Sequence, residues 1–313
     1  MSTFLVTGAA GFIGSNIVEE LVKRGEQVRA VDNLATGRFS NIQPFLNNIT
    51  FFNADINDPD AMAVALEGVD YVLHQAAIPS VPRSVSDPLT SHHANVTGTL
   101  QLLLAAREAR VKRLVFASSS SVYGDSPTLP KREDMPTQPL SPYAVNKLAG
   151  EDYLKVFYSL YGLPTVSLRY FNVFGPRQDP KSQYAAVIPA FIAAALAGNP
   201  HTIYGDGLQT RDFTFVQNVV EANLQACESP NADGESVNIA CGERISLLDL
   251  INQVNSNLGT SIMPIHEPER AGDVKHSLAD IEKARRLLDF TPSIDFAEGL
   301  TRTINYMKAN PEA

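Results

Sequence analysis

The sequence has little cysteine and no long apolar run. Cys227 and Cys241, the two cysteines, lie far apart without a histidine companion motif, which excludes a disulfide scaffold and a zinc-finger type of site. The longest apolar stretch, residues 187–198, contains Pro189 and is too short to cross a bilayer. The N-terminal residues carry neither a basic segment nor a cleavage-type site, so we expect no secretory signal and a cytoplasmic protein.

Positive charge is also scarce. The 313 residues include 25 Lys and Arg against 34 Asp and Glu, for a net charge of −9, which excludes nucleic acid or an anionic membrane as the main partner. The composition is that of an ordinary globular protein, and the length fits two domains or one large α/β unit. His92 and His93 are adjacent and would project in two directions on a helix, so we expect solvent or ribose contacts there and no metal site.

Short apolar runs alternate with helical patterns along the first half of the chain. Residues 11–25 have apolar side chains at i, i+4 and i+8 and end at Gly25, which predicts a helix; residues 214–227 predict another. The predicted strands are 3–8, 27–32, 49–55, 70–77, 112–120, 165–175 and 236–241. Strands separated by helices predict an α/β fold with a doubly wound parallel sheet of the Rossmann type.

The segment GAAGFIG, residues 8–14, places three glycines between the first strand and its helix. They are Gly8, Gly11 and Gly14. Glycines there permit a tight turn and bring the backbone close to a pyrophosphate at the helix N-terminus, although the GxxGxxG spacing alone is a weak signal. Asp32 ends the second strand, where a carboxylate accepts ribose hydroxyls and repels a 2′-phosphate, so NAD is favoured. Arg29 and Arg38 keep NADP open.

Prolines and glycines dominate from Gly175 to Gly207, after the sixth strand. We therefore predict a discontinuous second domain. The expected division is 1–174 plus 212–243 for the NAD-binding domain, and 175–211 plus 244–313 for a smaller α/β substrate domain.

The segment LSPYAVNK places a tyrosine and a lysine at the start of a helix. With Ser141 as N-cap and Pro142 as the first helical residue, Tyr143 and Lys147 lie one turn apart on the same face. A free phenol has a pKa of about 10, and both the lysine ammonium and the positive nicotinamide of NAD would lower it. Alone, such a pair is usually a surface pair; behind a dinucleotide fingerprint it predicts a general base.

Strand 5 is predicted to end in ASSSSVYG, residues 117–124. Four serines are typical of a polar loop, but hydroxyls beside a nucleotide crevice also suit a sugar. The chain contains no GxSxG elbow for acyl transfer.

Together with NADIND, HQAA and LRYFNVFGP, these motifs resemble the extended short-chain dehydrogenase/reductase family, specifically its UDP-sugar 4-epimerases. The resemblance covers nearly the whole chain. Through SVPRSVSDP, FGPRQDP and YAAVIPAF it is closest to the UDP-N-acetylglucosamine 4-epimerases.

The resemblance implies roles for individual residues. The implied catalytic residues are Tyr143 as base, Lys147 as its electrostatic partner and Ser119 as the hydroxyl between Tyr143 and the sugar 4-OH. The implied residues for tightly bound NAD are Gly8, Gly11, Phe12, Ile13, Gly14, Asp32, Asn33, Thr36, Gly37, Asp55, Ile56, Gln75, Ala76, Ala77, Asn95, Tyr143, Lys147 and Tyr170. The implied substrate residues are Ser120, Ser121, Asn172, Val187, Tyr204, Arg211, Arg270, Asp273 and Ser277.

The implied reaction is inversion at C4 of a UDP-hexose through a 4-keto intermediate. A small residue at the implied gate, Ser277, leaves space for an N-acetyl group, so UDP-GlcNAc and UDP-GalNAc are expected first and UDP-Glc and UDP-Gal besides. One alternative is a UDP-glucuronate 4-epimerase, for which Arg83 is a candidate cation. The dehydratases and decarboxylases carry an acid where this chain has Ser121, and a non-enzymatic NAD(P) sensor would lack the full catalytic set. The resemblance further implies a homodimer formed by the TLQLLLAA helix and the helix of Tyr143.

Overall fold

The computed structural model describes residues 1–180, 186–268 and 275–311. Its strands are β1 (Thr3–Thr7), β2 (Gln27–Asp32), β3 (Ile49–Asn53), β4 (Tyr71–His74), β5 (Arg113–Ser119), β6 (Thr165–Tyr170), β7 (Val173–Phe174), β8 (Thr202–Tyr204), β9 (Thr210–Arg211), β10 (Thr214–Phe215), β11 (Glu235–Ile239), β12 (Ile245–Ser246) and β13 (Ile265–Glu267). Its α-helices are α1 (Phe12–Lys23), α2 (Pro59–Ala65), α3 (Val81–Ser86), α4 (Pro88–His92), α5 (Gly98–Ala109), α6 (Pro142–Tyr161), α7 (Val187–Leu196), α8 (Val216–Glu228), α9 (Leu247–Leu258), α10 (Glu282–Leu288) and α11 (Phe296–Ala309). None of these helices is long and apolar enough to cross a membrane.

Seven parallel strands form the central sheet, in the order β11-β6-β5-β4-β1-β2-β3. The predicted doubly wound parallel sheet is confirmed, and each of its strands lies where the apolar runs indicated. From β1 the chain builds the sheet outward through β2 and β3, and then returns to the other side of β1 with β4. Such a reversal opens a crevice at the carboxyl ends of the two strands.

Apolar side chains cover both faces of this sheet. On one face α1 and α8 pack through residues such as Ile17, Leu21 and Val219, and on the other α2 and α5 contribute Met62 and Leu103. Each such side chain contributes roughly 1.5–3 kcal/mol when fully buried. The two layers hold the strand ends in fixed positions.

Helix α6 begins where the sequence predicts. The Ser141 hydroxyl accepts a hydrogen bond from the Ala144 amide at 3.2 Å, and Pro142 occupies the first turn. The Tyr143 amide donates to the Ser84 hydroxyl at 3.0 Å, which ties the helix start to α3. Gly150 brings α6 close to β5, since a Cβ there would lie 2.6 Å from the Phe116 ring.

The second half of the chain has an apolar core of its own. Phe174, Phe215 and Phe296 meet there, with ring centroids 5.5 and 5.6 Å apart, and α7, α9 and α11 pack around them. The predicted division into two domains stays a prediction. The structure adds one difference: α10, inside the segment assigned to the substrate domain, buries Leu288 in the core of the central sheet.

Candidate active site

Three glycines shape the backbone at the carboxyl end of β1. Gly8 has a φ of +65°, and a Cβ there would lie 2.6 Å from the backbone nitrogen of Ala76. A Cβ on Gly14 would lie 2.1 Å from the carbonyl oxygen of Gly8. Gly11 precedes α1, and no side chain in the described ranges caps this helix. Its first amide groups are therefore open to an anion such as a pyrophosphate.

A cleft of about 810 Å³ opens beside these glycines, and we call it the cofactor cleft. Its volume lies within the range typical of ligand sites, about 300–1,000 Å³. The predicted NAD-binding residues that line it are Gly8, Gly11, Phe12, Ile13, Gly14, Asp32, Asn33, Thr36, Asp55, Ile56, Gln75, Ala76, Ala77, Tyr143, Lys147 and Tyr170. The fold thus brings together residues from more than half of the chain.

Gly37 and Asn95 lie behind the lining of the cofactor cleft. A Cβ on Gly37 would lie 2.8 Å from a carboxylate oxygen of Asp32. The buried Asn95 side chain holds the backbone of Ile78 from both sides, accepting from its amide at 2.7 Å and donating to its carbonyl at 3.1 Å. The geometry gives both residues a role in shaping the cleft wall, and direct contact with the cofactor stays a prediction.

Asp32 stands at the end of β2 as predicted. Its carboxylate oxygens accept hydrogen bonds from the amides of Ala10 at 2.9 Å and Leu34 at 2.8 Å, which fixes their direction. Burial raises the pKa of Asp32, and these two bonds oppose the rise. Arg29 donates to carbonyls at the end of α2, and Arg38 pairs with Asp179 at 2.7 Å. Arg29 and Arg38, the two arginines considered for binding NADP, therefore both have partners within the protein.

Asn33 and Asp55 meet at the part of the cleft predicted to hold the adenosine. The Asn33 amide donates to Asp55 Oδ2 at 2.8 Å, and the other carboxylate oxygen accepts from the backbone and side chain of Asn57. Although partial burial raises the pKa of Asp55, these bonds hold it below its ordinary value. The carboxylate is therefore ionised at neutral pH and can accept from an adenine or ribose donor.

Hydrogen bonds among Gln75, Tyr170 and Asn223 orient Gln75, which is predicted to lie on the nicotinamide side of the cleft. Its side-chain nitrogen lies 3.2 Å from the Tyr170 hydroxyl and 3.1 Å from Asn223 Oδ1, and Asn223 Nδ2 donates to the same hydroxyl at 2.8 Å. Burial raises the pKa of Tyr170 above its ordinary value, so the phenol stays neutral. Asn223 lies on α8, and sequence reasoning missed it.

His74, the last residue of β4, is held by hydrogen bonds to Thr7 and Thr99. Thr99 donates its hydroxyl proton to the Asn95 carbonyl at 2.8 Å, so at 2.9 Å it accepts from His74 Nε2. His74 Nδ1 then accepts from the Thr7 hydroxyl at 2.8 Å, which fixes the neutral tautomer. Burial, and secondarily the charge of Lys147, lowers the pKa of His74 to about 3. The histidine contributes orientation and no charge.

The serines after β5 have a defined hydrogen-bond direction. Ser119 Oγ accepts from the Ser121 amide at 3.2 Å and from the Ser121 hydroxyl at 2.9 Å. Ser119 also hydrogen-bonds to the Tyr143 phenol, and this bond favours the phenolate. Ser119 is therefore the serine of this run that interacts with Tyr143. Ser120 and Ser121 form the adjoining turn.

Burial determines the ionisation of Tyr143 and Lys147. It raises the pKa of Tyr143 to about 12 against the opposing bond from Ser119, and it lowers the pKa of Lys147 to about 8 against the opposing charge of Glu151. The Lys147 amine donates to the Ala117 carbonyl at 2.7 Å and lies 5.8 Å from the Tyr143 ring centroid. Lys147 was predicted to lower the pKa of Tyr143, but without bound NAD, burial has the largest effect on that pKa. A positive nicotinamide bound beside the phenol would lower the pKa of Tyr143.

A smaller cavity of about 230 Å³ lies next to β7, and we call it the small cavity. Three predicted substrate residues line it: Asn172, Val187 and Arg211. Tyr204, on β8, and Ser277 lie outside the lining of either cavity. Arg270 and Asp273 fall outside the described residues. An arginine and an amide in a partly apolar cavity suit a phosphate joined to a planar base.

Ser277 is held beside the small cavity by hydrogen bonds. Its hydroxyl oxygen accepts from the Asn172 side chain at 3.0 Å and from the Asp212 amide at 3.2 Å, and its own amide donates to the Thr210 carbonyl. Asn172 has a φ of +34°, a conformation uncommon for a residue with a side chain. The predicted gate therefore also fixes the orientation of a predicted substrate ligand.

Asp212 is a fully buried carboxylate at the centre of this region. It accepts hydrogen bonds from the amides of Cys241, Gly242 and Ala279 at 3.0–3.1 Å. Burial raises its pKa to about 6, although the backbone amides oppose the rise. Asp212, which lies between the cavity residues Arg211 and Phe213, thus joins this stretch to residues 241–242 and 279.

Residues 4–240 match the family model described as the NAD dependent epimerase/dehydratase family. The chain belongs to this family. A putative UDP-glucose 4-epimerase of Methanocaldococcus jannaschii is 42% identical over 308 residues, which is 98% of both chains. The solved UDP-N-acetylglucosamine 4-epimerase of Methanobrevibacter ruminantium M1, in complex with UDP-N-acetylmuramic acid, superposes with a TM-score of 0.95 at 41% identity over 99% of both chains. The UDP-glucose 4-epimerase of Thermotoga maritima with UDP-glucose superposes at 0.94, with 37% identity over 99% of this chain and 100% of the other.

Membership in the epimerase/dehydratase family confirms the predicted resemblance. An NAD-dependent isomerase is confirmed with it, and the cofactor cleft has the glycine cradle and ribose carboxylate that NAD needs. The roles of individual residues stay predictions.

Sequence reasoning missed several residues of this epimerase/dehydratase site. Arg177 and Asp179 line the cofactor cleft, and Arg177 donates to Asn16 at 2.8 Å and to Glu19 of α1 at 2.5 Å. The spacing of FGPRQDP contains no signal for this contact, since α1 lies far away in the sequence. Glu151 had one: it falls a single turn beyond Lys147 on the same helix face.

Proposed function

We propose that this chain inverts the configuration at C4 of a UDP-hexose through a transient 4-keto sugar. UDP-GlcNAc and UDP-GalNAc are its preferred substrates, and UDP-Glc and UDP-Gal are accepted as well. The observation that carries the proposal is that Tyr143 and Lys147 line the cofactor cleft together, with Ser119 hydrogen-bonded to Tyr143.

In the proposed reaction Tyr143 removes the proton of the sugar 4-OH through the hydroxyl of Ser119. NAD bound in the cofactor cleft, beside the glycine turn and Asp32, would supply the hydride acceptor and donor for C4. Lys147 contributes positive charge beside the phenolate and a contact to the nicotinamide ribose. Ser121 donates a hydrogen bond to Ser119, and the bond between Ser119 and Tyr143 stabilises the deprotonated phenol.

The UDP moiety is held in the proposed reaction by Asn172, Val187 and Arg211 of the small cavity, together with Tyr204. Arg270 and Asp273 complete this clamp. A pyrophosphate anchored in one place leaves the keto sugar able to turn about its linkage and present either face to the cofactor. Charge-assisted bonds from an arginine let a chain of net charge −9 bind this anion.

The preference for N-acetyl sugars rests on Ser277. Ser277 bonds to Asn172, a lining residue of the small cavity, and its side chain is small, so we propose that this position leaves room for an acetamide. Plain hexoses fit the same space.

An assay of the purified protein without added NAD tests the proposal, with UDP-N-acetylglucosamine and UDP-glucose side by side and the C4 epimers separated by chromatography. We expect turnover of both, faster on the acetylated sugar. S277Y should lower the ratio of acetylated to plain turnover by about 10–100-fold, the range for a steric mismatch in a pocket. S277A, which keeps the position small, should leave the ratio near that of the wild type. Equal loss on both substrates in S277Y would remove Ser277 as the gate.

UDP-glucuronate is the second candidate substrate, because Arg83 lines the cofactor cleft and offers a cation to a sugar carboxylate. The same assay includes it. Turnover of UDP-glucuronate alone, lost in R83M, would replace the N-acetyl proposal.

A cytoplasmic homodimer completes the proposal. The supporting observation is that α6 exposes apolar side chains at Val156, Leu160 and Tyr161, with 44%, 70% and 51% of their surface accessible. Sedimentation of the full chain would test it, and a monomer at micromolar concentration would contradict it.

A further inference from the structure

The buried carboxylate of Glu151 lies under the proposed site and is fully hydrogen-bonded. Oε1 accepts from Ser118 at 2.5 Å and from Arg169 Nε at 2.9 Å. Oε2 accepts from Arg169 Nη2 at 2.7 Å and from Ser236 at 2.9 Å. Glu151 has no exposed surface and Arg169 is 3% exposed. A charged pair with every acceptor site occupied is a fixed element of the structure.

Strand β5 meets α6 in three consecutive contacts. The Ala117 carbonyl accepts from Lys147, the Ser118 hydroxyl donates to Glu151, and Ser119 addresses Tyr143. The three α6 residues are spaced four apart and share one helix face. Glu151 is therefore part of the same surface of the helix as the two residues of the proposed chemistry.

The charged and titratable groups around Lys147 come from several elements. Tyr143 and Glu151 share its helix, His74 faces it from β4, and Arg169 extends from β6. From β5 it meets the Ala117 carbonyl and, at 4.8 Å, the centroid of the Phe116 ring. His74 is neutral and Arg169 is positive, so within the described ranges Glu151 is the acid of this set.

Lys147 needs such an acid. Burial lowers its pKa to about 8, and Glu151 opposes that lowering. A positive nicotinamide next to the amine would lower the pKa further. Without a fixed negative charge the pKa of the amine would fall further, and the amine would provide less positive charge for the Tyr143 phenolate.

We infer that Glu151, held in place by Arg169, is a positioning residue that keeps the Lys147 amine protonated and directed along β5. The inference rests on the proposed function, in which Lys147 acts as an ammonium. Glu151 contacts neither substrate nor cofactor in this role, and it acts through Lys147.

The test is a pH titration of Lys147 in the NAD-bound protein. Lysines labelled with ¹³C at the ε-carbon are followed by NMR, and K147M assigns the signal. The pH profile of kcat is recorded in parallel. E151Q alone leaves Arg169 buried without a counter-charge and risks unfolding. The main variant is therefore the double change E151Q with R169Q, which removes both charges and keeps polar partners for Ser118 and Ser236.

In the double variant we expect the Lys147 titration to move about one pH unit or more toward acid. The alkaline limb of kcat should move with it. E151D, which keeps the carboxylate, should titrate close to the wild type. D233N is the matched control: Asp233 pairs with Arg113 of β5 at 2.7 Å, at the opposite end of that strand, and should leave both readouts unchanged.

A folded double variant in which Lys147 titrates as in the wild type would overturn the inference. Movement of both readouts supports it. The NMR titration also separates this inference from the proposed function. If Lys147 shifts as expected while no UDP-sugar is converted even by the wild type, then Glu151 controls the amine and the proposed reaction is wrong.

Discussion

The cofactor cleft and the small cavity differ in what gives them their shape. The cofactor cleft lies at the carboxyl ends of parallel strands, and part of its wall is backbone: glycines without room for a Cβ, and the Ile78 loop held by Asn95. The small cavity is lined by residues that all carry side chains, beside strands of two residues, and Asp212 lies between the lining residues Arg211 and Phe213. Backbone walls restrict substitution, whereas side-chain walls can be exchanged. The contrast suggests that the redox chemistry is fixed in one region and substrate choice is adjustable in the other.

The largest effect is expected for the proposed base in the cofactor cleft. Tyr143→Phe removes the proposed base, so kcat should fall about 10²–10⁴-fold, the range for loss of general acid–base catalysis. Binding of a UDP-sugar, measured by calorimetry, should remain, because the small cavity is untouched. Turnover at the wild-type rate would remove Tyr143 from the mechanism.

Gly14→Ala tests the backbone wall. The new Cβ would lie 2.1 Å from the Gly8 carbonyl oxygen, so the turn must shift and NAD binding should weaken about 10–100-fold, equivalent to about 1–3 kcal/mol of strain. Cofactor retained through dialysis is the measurement. The control is G25A, at the other end of α1, where φ is +74° and a Cβ meets open space. G25A should lower the melting temperature and leave NAD binding unchanged. Equal loss of NAD in both variants would contradict the prediction that the glycine turn holds the cofactor.

Asp212→Asn tests how the buried Asp212 carboxyl makes the stability of the protein depend on pH. The folded pKa is raised to about 6 from an ordinary 3.8, so the carboxyl binds its proton more tightly in the folded chain. Its contribution to stability is therefore present below pH 3.8 and is lost as the pH rises through about 6. Relative to D212N, the unfolding free energy of the wild type should fall by about 1–3 kcal/mol between pH 4 and 7. Denaturant curves at both pH values measure this, and parallel stability of the two proteins would contradict it.

The smallest effect concerns the serine that orients Ser119. Ser121→Ala removes a neutral hydrogen bond of roughly 1 kcal/mol, so kcat should fall by no more than about tenfold. S121T keeps the hydroxyl and should recover most of the rate. A loss as large as that of Tyr143→Phe would mean that Ser121 itself takes part in the proton transfer.

The sequence was sufficient for the sheet and for most of the cofactor cleft. Apolar runs, glycines and an acid after β2 carry local signals, because backbone geometry restricts which residues can stand there. The start of α6 was predictable for the same reason, since Ser141 and Pro142 are local helix signals.

Long-range partners were beyond the sequence. The pairing of Glu151 with Arg169 depends on β5 and β6 lying side by side, and no spacing in the chain encodes that. The effect of burial on Tyr143 was also beyond the sequence, because desolvation depends on what covers the phenol and the sequence shows only its charged neighbour. The bonds from Asn95 to the backbone of Ile78 were likewise beyond the sequence, and its contact with the cofactor stays a prediction.

The three consecutive contacts between β5 and α6 restrict how this stretch can evolve. One residue inserted between Lys147 and Glu151 would rotate the carboxylate by about 100° around the helix axis. Arg169 would then face an apolar core without a counter-charge, while Tyr143 and Lys147 kept their places. Relatives of this protein are therefore expected to differ between positions 143 and 151 by replacement only, and to vary in length where loops reach the surface.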